Sequence, residues 1–274
     1  METDISTFHP TPHTTNAGRR TDSDAIKLLE ADPDLGAYLV AERRAEAAEA
    51  LQVRAQSLSV GSWDVSRLRN LGGGHVGLLL LEGVLARDVI VADHVSAELL
   101  GPGDLLRPWG DPAGETLLPV DVEWWVLSPA RVAVLDRSFA VRSARWPEIT
   151  AALFQRQSER ALRLATQQAV SQLTRVDRRL LALFWHLAER WGRVGADGVV
   201  VPLALTHRIL GQLIGARRPT VSTALGELAE RGELTRRSDG SWLLRGDPPA
   251  SLTRPSTRQR NQDLLREGEE VNGS

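Results

Sequence analysis

From Leu58 to Asp136 the apolar residues come in short runs punctuated by Gly, Pro and Asp: Val76–Leu81, Val84–Val91, Val95–Leu100, Thr116–Val120, Val122–Leu127 and Arg131–Leu135. Runs of this length between turn residues predict strands of an all-β barrel or sandwich. Glu82-Gly83 and Gly101-Pro102-Gly103-Asp104 fall where hairpin turns are expected. Beyond Pro147 the spacing becomes helical to about Leu173, with an incomplete stripe of Ile149, Leu153, Ala161, Leu164, Ala165, Ala169 and Leu173 that Gln155–Arg160 interrupts. A lone helix of that length needs a partner for its stripe, either the β domain or a second copy of the helix. A second helix is predicted over Asp177–Trp191, burying Leu180, Leu181, Phe184 and Leu187, with Thr174 as its candidate N-cap. Val199–Leu203 reads as a short strand.

The pattern fades at both ends. The first twenty or so residues are rich in Thr, His, Pro and Asn, and the chain beyond Gly246 turns to Pro, Ser, Thr, Gln and charge. Both read as disordered tails. Between the first tail and the β runs, Asp34–Ala55 reads as an Ala-, Glu- and Arg-rich surface helix without a core of its own.

The segment Leu205–Leu234 carries the most specific signal. Thr206, itself a candidate DNA contact, caps a predicted helix that buries Leu210, Leu213 and Ile214; Pro219 opens another that buries Val221, Leu225 and Leu228. A tight helix-turn-helix needs a small residue where its helices meet, here Gly211, and a turn residue tolerating positive φ, here Gly215. Val221 would fill the angle between them. The second helix would then present Arg217, Arg218, Thr220, Ser222 and Thr223 outward from its N-terminal end, the part that enters the major groove in this motif. Arginine can donate two hydrogen bonds to guanine, and small hydroxyl side chains permit close approach to bases and phosphates. Downstream, two short strands around Asp239-Gly240 form a wing on which Arg236, Arg237 and Arg245 could reach flanking phosphates. A helical hairpin that merely packs would not call for the glycine spacing, the hydroxyl-rich face and the arginine wing together.

Charge sharpens the division. From Asp88 to Glu123 there are eight acidic residues and one basic residue, Arg107, whereas Thr174–Gly246 carries twelve arginines against seven carboxylates. A net charge of −2 therefore averages an acidic β segment with a C-terminal segment near +5 (12 − 7), which suits contact between the latter and a polyanion. The chain has no cysteine, so disulfides, Cys-ligated zinc, iron–sulfur clusters and thiol sensing are excluded within it. No apolar run approaches the roughly 18 residues of a membrane span, and the polar N-terminus lacks a signal-peptide core. The expectation is a cytoplasmic protein without membrane contact.

Arg-Pro-Thr-Val-Ser at 218–222 and the order of elements resemble the Crp/Fnr family of bacterial transcription regulators over about Leu58 to Gly246. The resemblance implies an α+β chain: a jelly-roll-like β-roll similar to a cyclic-nucleotide-binding domain, a long dimerisation helix and a C-terminal winged helix-turn-helix. The expected division is 1–56 tail and surface helix, 57–146 β-roll, 147–173 dimerisation helix, 174–246 DNA-binding domain and 247–274 tail. The implied function is a homodimeric, sequence-specific regulator of double-stranded DNA, with RNA polymerase as a candidate partner and no cofactor. By the same resemblance Arg218 takes a base-contacting position, flanked by Thr220 and Ser222, while many members carry arginine where this chain has Thr223.

Gly103-Asp104 resembles the family's Gly-Asp turn, which makes Gly103, Asp104, Arg107 and Trp109 the candidate effector-binding residues. The resemblance weakens there. Where cyclic-AMP binders carry a glutamate for the ribose this chain has Pro108, and no basic residue between Gly110 and Arg131 would meet the phosphate. Binding of cyclic AMP in the usual way is not expected, and the effector is unknown. An isolated Arg107 is expected to be solvated or paired with Asp104 or Asp111. Trp109, Trp124 and Trp125 are expected to fill the β core rather than wall a pocket. His75 and His94 lie where haem could be sensed, but their spacing does not indicate ligation. Two other classes compete: a cupin-like metal enzyme, which lacks a His-x-His pair here, and a partner-binding regulator that no longer uses DNA, against which the retained arginines argue.

Overall fold

The computed structural model describes residues 23–66, 68, 74–110 and 117–249. The tail expected before residue 20, and all but the first few residues of the tail expected after Gly246, lie outside the described residues, as does Asp111.

The N-terminal part is a seven-stranded antiparallel sheet built from β1 (Ser23–Lys27), β2 (Gln52–Leu58), β3 (Gly61–Ser62), β4 (Gly77–Val91), β5 (His94–Leu100), β6 (Leu105–Leu106) and β7 (Asp121–Leu135). Its order is β1-β2-β7-β4-β5, with β3 beside β7 and β6 beside β4. Four of the expected strands merge pairwise: Val76–Leu81 with Val84–Val91 in β4, and Val122–Leu127 with Arg131–Leu135 in β7. Glu82-Gly83 is therefore a bulge and not a hairpin turn. Pairing with β7 slips in register between Leu80 and Leu85, Val84 N donates to Ser128 Oγ at 2.9 Å, and Gly83 sits at φ +90°. A Cβ on Gly83 would lie 2.5 Å from the Pro129 carbonyl oxygen, so no side chain fits there. Bulges bend and twist a strand, and this bend lets the sheet close over Leu78, Leu80, Leu85, Leu100, Trp124 and Val126.

Gly101–Asp104 also fails to reverse the chain. Leu100 pairs with Leu85 and Leu105 with Leu79 along the same edge of β4, so this segment bulges outward between β5 and β6. The reversal between β4 and β5 instead falls at Ala92-Asp93, with Ala92 at φ +53° and no Gly or Pro to announce it. Residues 117–120, part of the expected strand Thr116–Val120, form no strand; Thr116 is outside the described residues.

Strand alternation sends Leu78 and Leu80 to the inside of the roll and Leu79 to the outside. On that outer face Val53, Leu79, Leu105, Ala133 and Leu135 pack with Leu28, Leu29, Leu35, Leu39 and Leu51 from the N-terminal segment. This corrects the expectation that the segment up to residue 56 has no part in a core. Helix α1 (Leu28–Ala31) and a 3₁₀ turn at Pro33–Gly36 bury Leu28, Leu29 and Leu35 on the sheet domain, α2 (Ala41–Ala50) is the expected surface helix anchored by Ala47, and β2 runs across the expected 56/57 boundary. Their apolar residues are scattered over short elements, and their partners Phe139, Trp146, Ile149 and Leu153 lie about a hundred residues on.

Asp136 caps α3 (Arg137–Ser143) by accepting from Phe139 N at 2.9 Å, and Pro147 opens the 25-residue α4 (Pro147–Ser171). The apolar stripe of α4 divides. Ile149, Ala152 and Leu153 are buried on the sheet domain, while Phe154, Ala161, Leu162, Ala165 and Ala169 are exposed.

The C-terminal domain comprises α5 (Val176–Trp191), β8 (Arg193–Gly195), β9 (Gly198–Val201), α6 (His207–Ile214), α7 (Arg218–Glu230), β10 (Leu234–Arg236) and β11 (Trp242–Leu244). Its four strands form one sheet, β10-β11-β9-β8, behind a core of Leu180, Phe184, Leu210, Leu213, Val221 and Trp242. Thr174 is not the cap of α5. Arg175 holds the N-cap position without a side-chain cap, and the Asp177 carboxylate turns to Arg175 (2.9 and 3.0 Å) and Arg231 (3.1 Å). The same core continues into Ala86, Ala97 and Leu99 of the first sheet, so the two domains dock through α6.

Candidate nucleic-acid interface

The local chemistry of α6 and α7 fixes their mutual angle. Thr206 Oγ1 accepts from Ile209 N at 3.2 Å and starts α6; Gly215, at φ +65°, ends it in the left-handed conformation that glycine adopts without strain. A Cβ on Gly211 would stand 2.4 Å from the Ala216 carbonyl oxygen, which only hydrogen permits. Val221 is 0% exposed in the angle between the helices. Pro219 lies in the first turn of α7, where its missing N–H costs no hydrogen bond.

This scaffold leaves Arg217, Arg218, Thr220, Ser222 and Thr223 exposed on one end and face of α7. The Thr223 hydroxyl donates to the Pro219 carbonyl at 3.3 Å, which turns it back onto its own helix. On the wing, Gly240 N donates to Arg237 O at 3.0 Å and Arg237 N to Ser241 O at 2.8 Å, closing the turn between β10 and β11. Arg236 and Arg237 are both exposed, and Arg236 lies over the Trp242 ring at 5.7 Å. Thr206, placed among the DNA contacts by the sequence pattern, is exposed beside them.

One member of this surface was not legible as such. His207, the first residue of α6, places Nδ1 2.8 Å from Ser222 Oγ on α7. Burial, Arg236 and Arg218 together hold its imidazole below the ordinary histidine range. Its only sequence signal is its position next to the capping Thr206.

Of the four candidate effector residues, Gly103 and Asp104 line one cavity, while Arg107 and Trp109 lie elsewhere. Asp104 is 2% exposed, and both its oxygens are taken: Oδ1 by Arg163 of α4 at 2.5 Å, Oδ2 by Arg190 of α5 at 2.8 Å and by Gly101 N at 2.9 Å. Gly103 opens onto a cavity of about 550 Å³ between the bulge, α4 and α5, lined by Asp32, Arg156, Arg163, His186 and Arg190. Arg107 is exposed and faces a different cavity, of about 450 Å³, with His75, Phe139 and Phe154. Of the alternatives expected for Arg107, the solvated one is what its exposure shows, since Arg163 and Arg190 occupy the Asp104 carboxylate. Trp109 packs against the interior of the roll with Trp124 and Trp63, as expected for the first two. Trp125 does not join them: it is one residue from Trp124, so alternation sends it to the opposite face, against the C-terminal domain. His94 lies at the β4–β5 reversal beside Asp93, and His75 stands edge-on to Trp109.

Two of the acidic residues of the β segment, Glu98 and Asp104, and Asp32 before it, are held by arginines of the helices. Arg160 of α4 grips Glu98 with two hydrogen bonds (2.6 and 2.8 Å), Arg87 joins it at 2.9 Å, and Arg156 grips Asp32 in the same way (2.5 and 2.8 Å). Arginines 156, 160 and 163 thus form a ladder along α4 against three carboxylates of the sheet domain. At the second contact between domains, Gln212 of α6 reaches Asp88 at 3.4 Å, and burial pushes the Asp88 carboxyl up against the opposing pull of Arg208. Gln167 of α4 donates to Ala97 O (2.7 Å) and Leu213 O (3.1 Å), tying helix, sheet and reading domain together.

A rolled antiparallel sheet, a long helix with an open face and a winged helix-turn-helix with a free arginine- and hydroxyl-rich end define a DNA-binding regulator. Residues 174–246 match the Crp-like helix-turn-helix domain. The chain is 31% identical over 172 residues to the regulatory protein CysR of Synechococcus elongatus, covering 59% of this chain and 73% of that one. It is 30% identical over 153 residues to the CRP-like cAMP-activated global transcriptional regulator of Mycobacterium tuberculosis, covering 54% of this chain and 65% of the relative. Among solved structures, a CooA variant from Carboxydothermus hydrogenoformans superposes with a TM-score of 0.54 at 16% identity, over 71% of this chain and 84% of that one. The chain belongs to the Crp/Fnr family and is a transcription regulator of that type. Among the described residues no helix is long and apolar enough to cross a membrane.

Proposed function

We propose that this regulator binds a near-palindromic DNA site as a homodimer. The observation that carries the reading is the free N-terminal end of α7, with Arg217, Arg218, Thr220 and Ser222 exposed while the rest of the helix is anchored by Val221, Leu225 and Leu228. Arg218 reads a base edge, Ser222 and Thr220 lie beside it, and Arg236 and Arg237 hold flanking phosphates. The exposed face of α4, with Phe154 and Leu162 at 71% and 68% exposure, is the surface a second copy would cover. Two reading helices related by a two-fold axis would meet half-sites about 34–36 Å apart. Residues 23–146 serve as the sensor, 147–171 as the dimer helix and 174–246 as the reader. Cyclic AMP does not bind the sensor in the usual way, since Pro108 stands where a ribose-binding glutamate would and no basic residue lies between Gly110 and Arg131. The protein works in the cytoplasm, where RNA polymerase is the expected second partner.

A gel shift on fragmented genomic DNA, at fixed salt and with unlabelled competitor, tests this. Fragments retained against the competitor should share a near-palindrome on sequencing. Uniform displacement of every fragment would overturn sequence-specific binding.

A further inference from the structure

We infer that His207 is a proton-dependent member of the DNA-reading surface, raising the affinity for DNA through its own charge and setting, through Ser222, the preference at one base. The inference rests on the DNA-binding reading above. Its basis is a shared hydrogen. Ser222 Oγ stands 2.8 Å from His207 Nδ1 and 3.1 Å from the Arg218 carbonyl oxygen, and the hydroxyl has one proton to give. In the neutral tautomer that carries its hydrogen on Nε2, the Nδ1 lone pair takes that proton across the shorter contact. Once the ring is an imidazolium, Nδ1–H becomes the donor and Ser222 Oγ the acceptor. The hydroxyl proton is then released toward the Arg218 carbonyl or an acceptor on a base edge. Protonation of His207 therefore changes what Ser222 offers to DNA.

The charges around the ring decide when this happens. Arg218 of α7, which packs against α6, and Arg236 of β10 on the wing act on it through space, and Arg208 follows it on α6 itself; α4, α5 and β5 also pack against α6, and the charges acting on the ring come from α7 and the wing. Burial first, then Arg236 and Arg218, oppose a further positive charge and hold the ring below the ordinary histidine range, which favours its neutral form in the free protein. DNA phosphates placed against the same arginines reverse that balance, because opposite charge nearby favours the charged form of the ring. Binding then takes up a proton, and by linkage affinity rises as pH falls. Exchange of neutral ring plus hydronium for imidazolium needs no other reactant.

The test uses the full chain and a duplex recovered from randomised double-stranded DNA by selection with the unmodified protein at pH 7.5. Affinity is measured from pH 8 to pH 6 at constant ionic strength. The unmodified protein should gain about threefold to tenfold over this range, since one bound proton limits the gain to tenfold per pH unit. His207→Gln should flatten the profile at the weaker affinity, and His207→Arg should flatten it at the tighter one. Ser222→Ala should keep the gain in affinity while losing any change in base preference with pH. Failure of the selection to recover a duplex would overturn the DNA-binding reading itself. A recovered duplex bound by His207→Gln with an unchanged pH profile would overturn only the role of His207. A base preference that still shifts with pH in Ser222→Ala would overturn the route through the hydroxyl.

Discussion

Arg190, one residue from the end of the first helix of the reading domain, donates to Asp104 of the sheet domain at 2.8 Å, across a carboxylate that Arg163 holds from the other side at 2.5 Å. A single buried acid thus joins the sheet, the long helix and the reading domain. The contact is reinforced by shape. A Cβ on Gly101 would meet the Trp191 ring at 2.9 Å, and Arg190 lies over that ring at 4.9 Å.

Removing the acid leaves two half-buried arginines facing each other without a counter-charge. Asp104→Ala should therefore destabilise the chain by about 3–5 kcal/mol, the usual cost of leaving one side of a buried ion pair alone. Asp104→Asn, which can still accept one hydrogen bond, should cost less. Urea unfolding of the two variants beside the parent measures both, and equal stability of all three would show that the junction contributes nothing.

The helix-turn-helix was legible because its requirements are local: Gly211, Gly215 and Val221 lie within ten positions and each answers to one contact of the motif. The sheet was less so. Gly83 carries the sequence mark of a turn, yet what it permits is the approach of Pro129 and Ala130 from a strand more than forty residues away. Asp104 carried a family mark, but its ionic partners lie 59 and 86 residues on, and nothing in the spacing names them. The N-terminal segment was misread for the same reason: Leu28, Leu35 and Leu51 show no period of their own and gain a core only through Phe139, Trp146 and Ile149.

Gly211→Ala tests the helix-turn-helix packing directly. The added methyl group meets backbone, the Ala216 carbonyl oxygen, which cannot turn aside as a side chain would. Overpacking of this kind costs about 1–3 kcal/mol, to be read from thermal or urea unfolding. Gly215→Ala, which meets no atom within 4 Å but must hold φ at +65°, should cost only about 1 kcal/mol.

Two carboxylates should give opposite pH dependence. Arg175 and Arg231 hold Asp177 below the ordinary carboxylate range although its burial acts the other way. Its contribution to stability is present above the ordinary range and is lost as pH falls through the depressed value. Burial raises Asp88, so its ionisation opposes the folded, docked state, and stability is lost as pH rises through the raised value. Asp88→Asn should therefore stabilise the chain at pH 7 relative to pH 4, and Asp177→Asn should destabilise it at pH 7 but less at pH 3. Urea midpoints at these pH values, compared with the parent, give both signs.

On DNA, Arg218→Ala should weaken a selected site by about 1–3 kcal/mol and relax preference at one base pair, whereas Arg237→Ala should weaken all sequences alike and reduce the salt slope by about one. Arg237 is the cleaner choice for the phosphate term, since Arg236 also covers the Trp242 ring. Anisotropy titrations over a salt series separate the two effects. An unchanged base preference in Arg218→Ala would remove α7 as the reading helix.

The open face of α4 decides whether two readers act together. Phe154 and Leu162 are two turns apart on a helix whose other side is fixed to the sheet by the arginine ladder, so they cannot turn inward. Placing charge on both, as Phe154→Asp with Leu162→Asp, should leave each subunit folded, because neither side chain contributes to the buried core. The double variant should sediment as a monomer at concentrations where the parent is a dimer. Its affinity for a duplex with both half-sites should fall to that for a single half-site, because the second contact is no longer intramolecular. A double variant that stayed dimeric would move the interface off α4, and with it the two-fold arrangement that makes a near-palindrome the expected target.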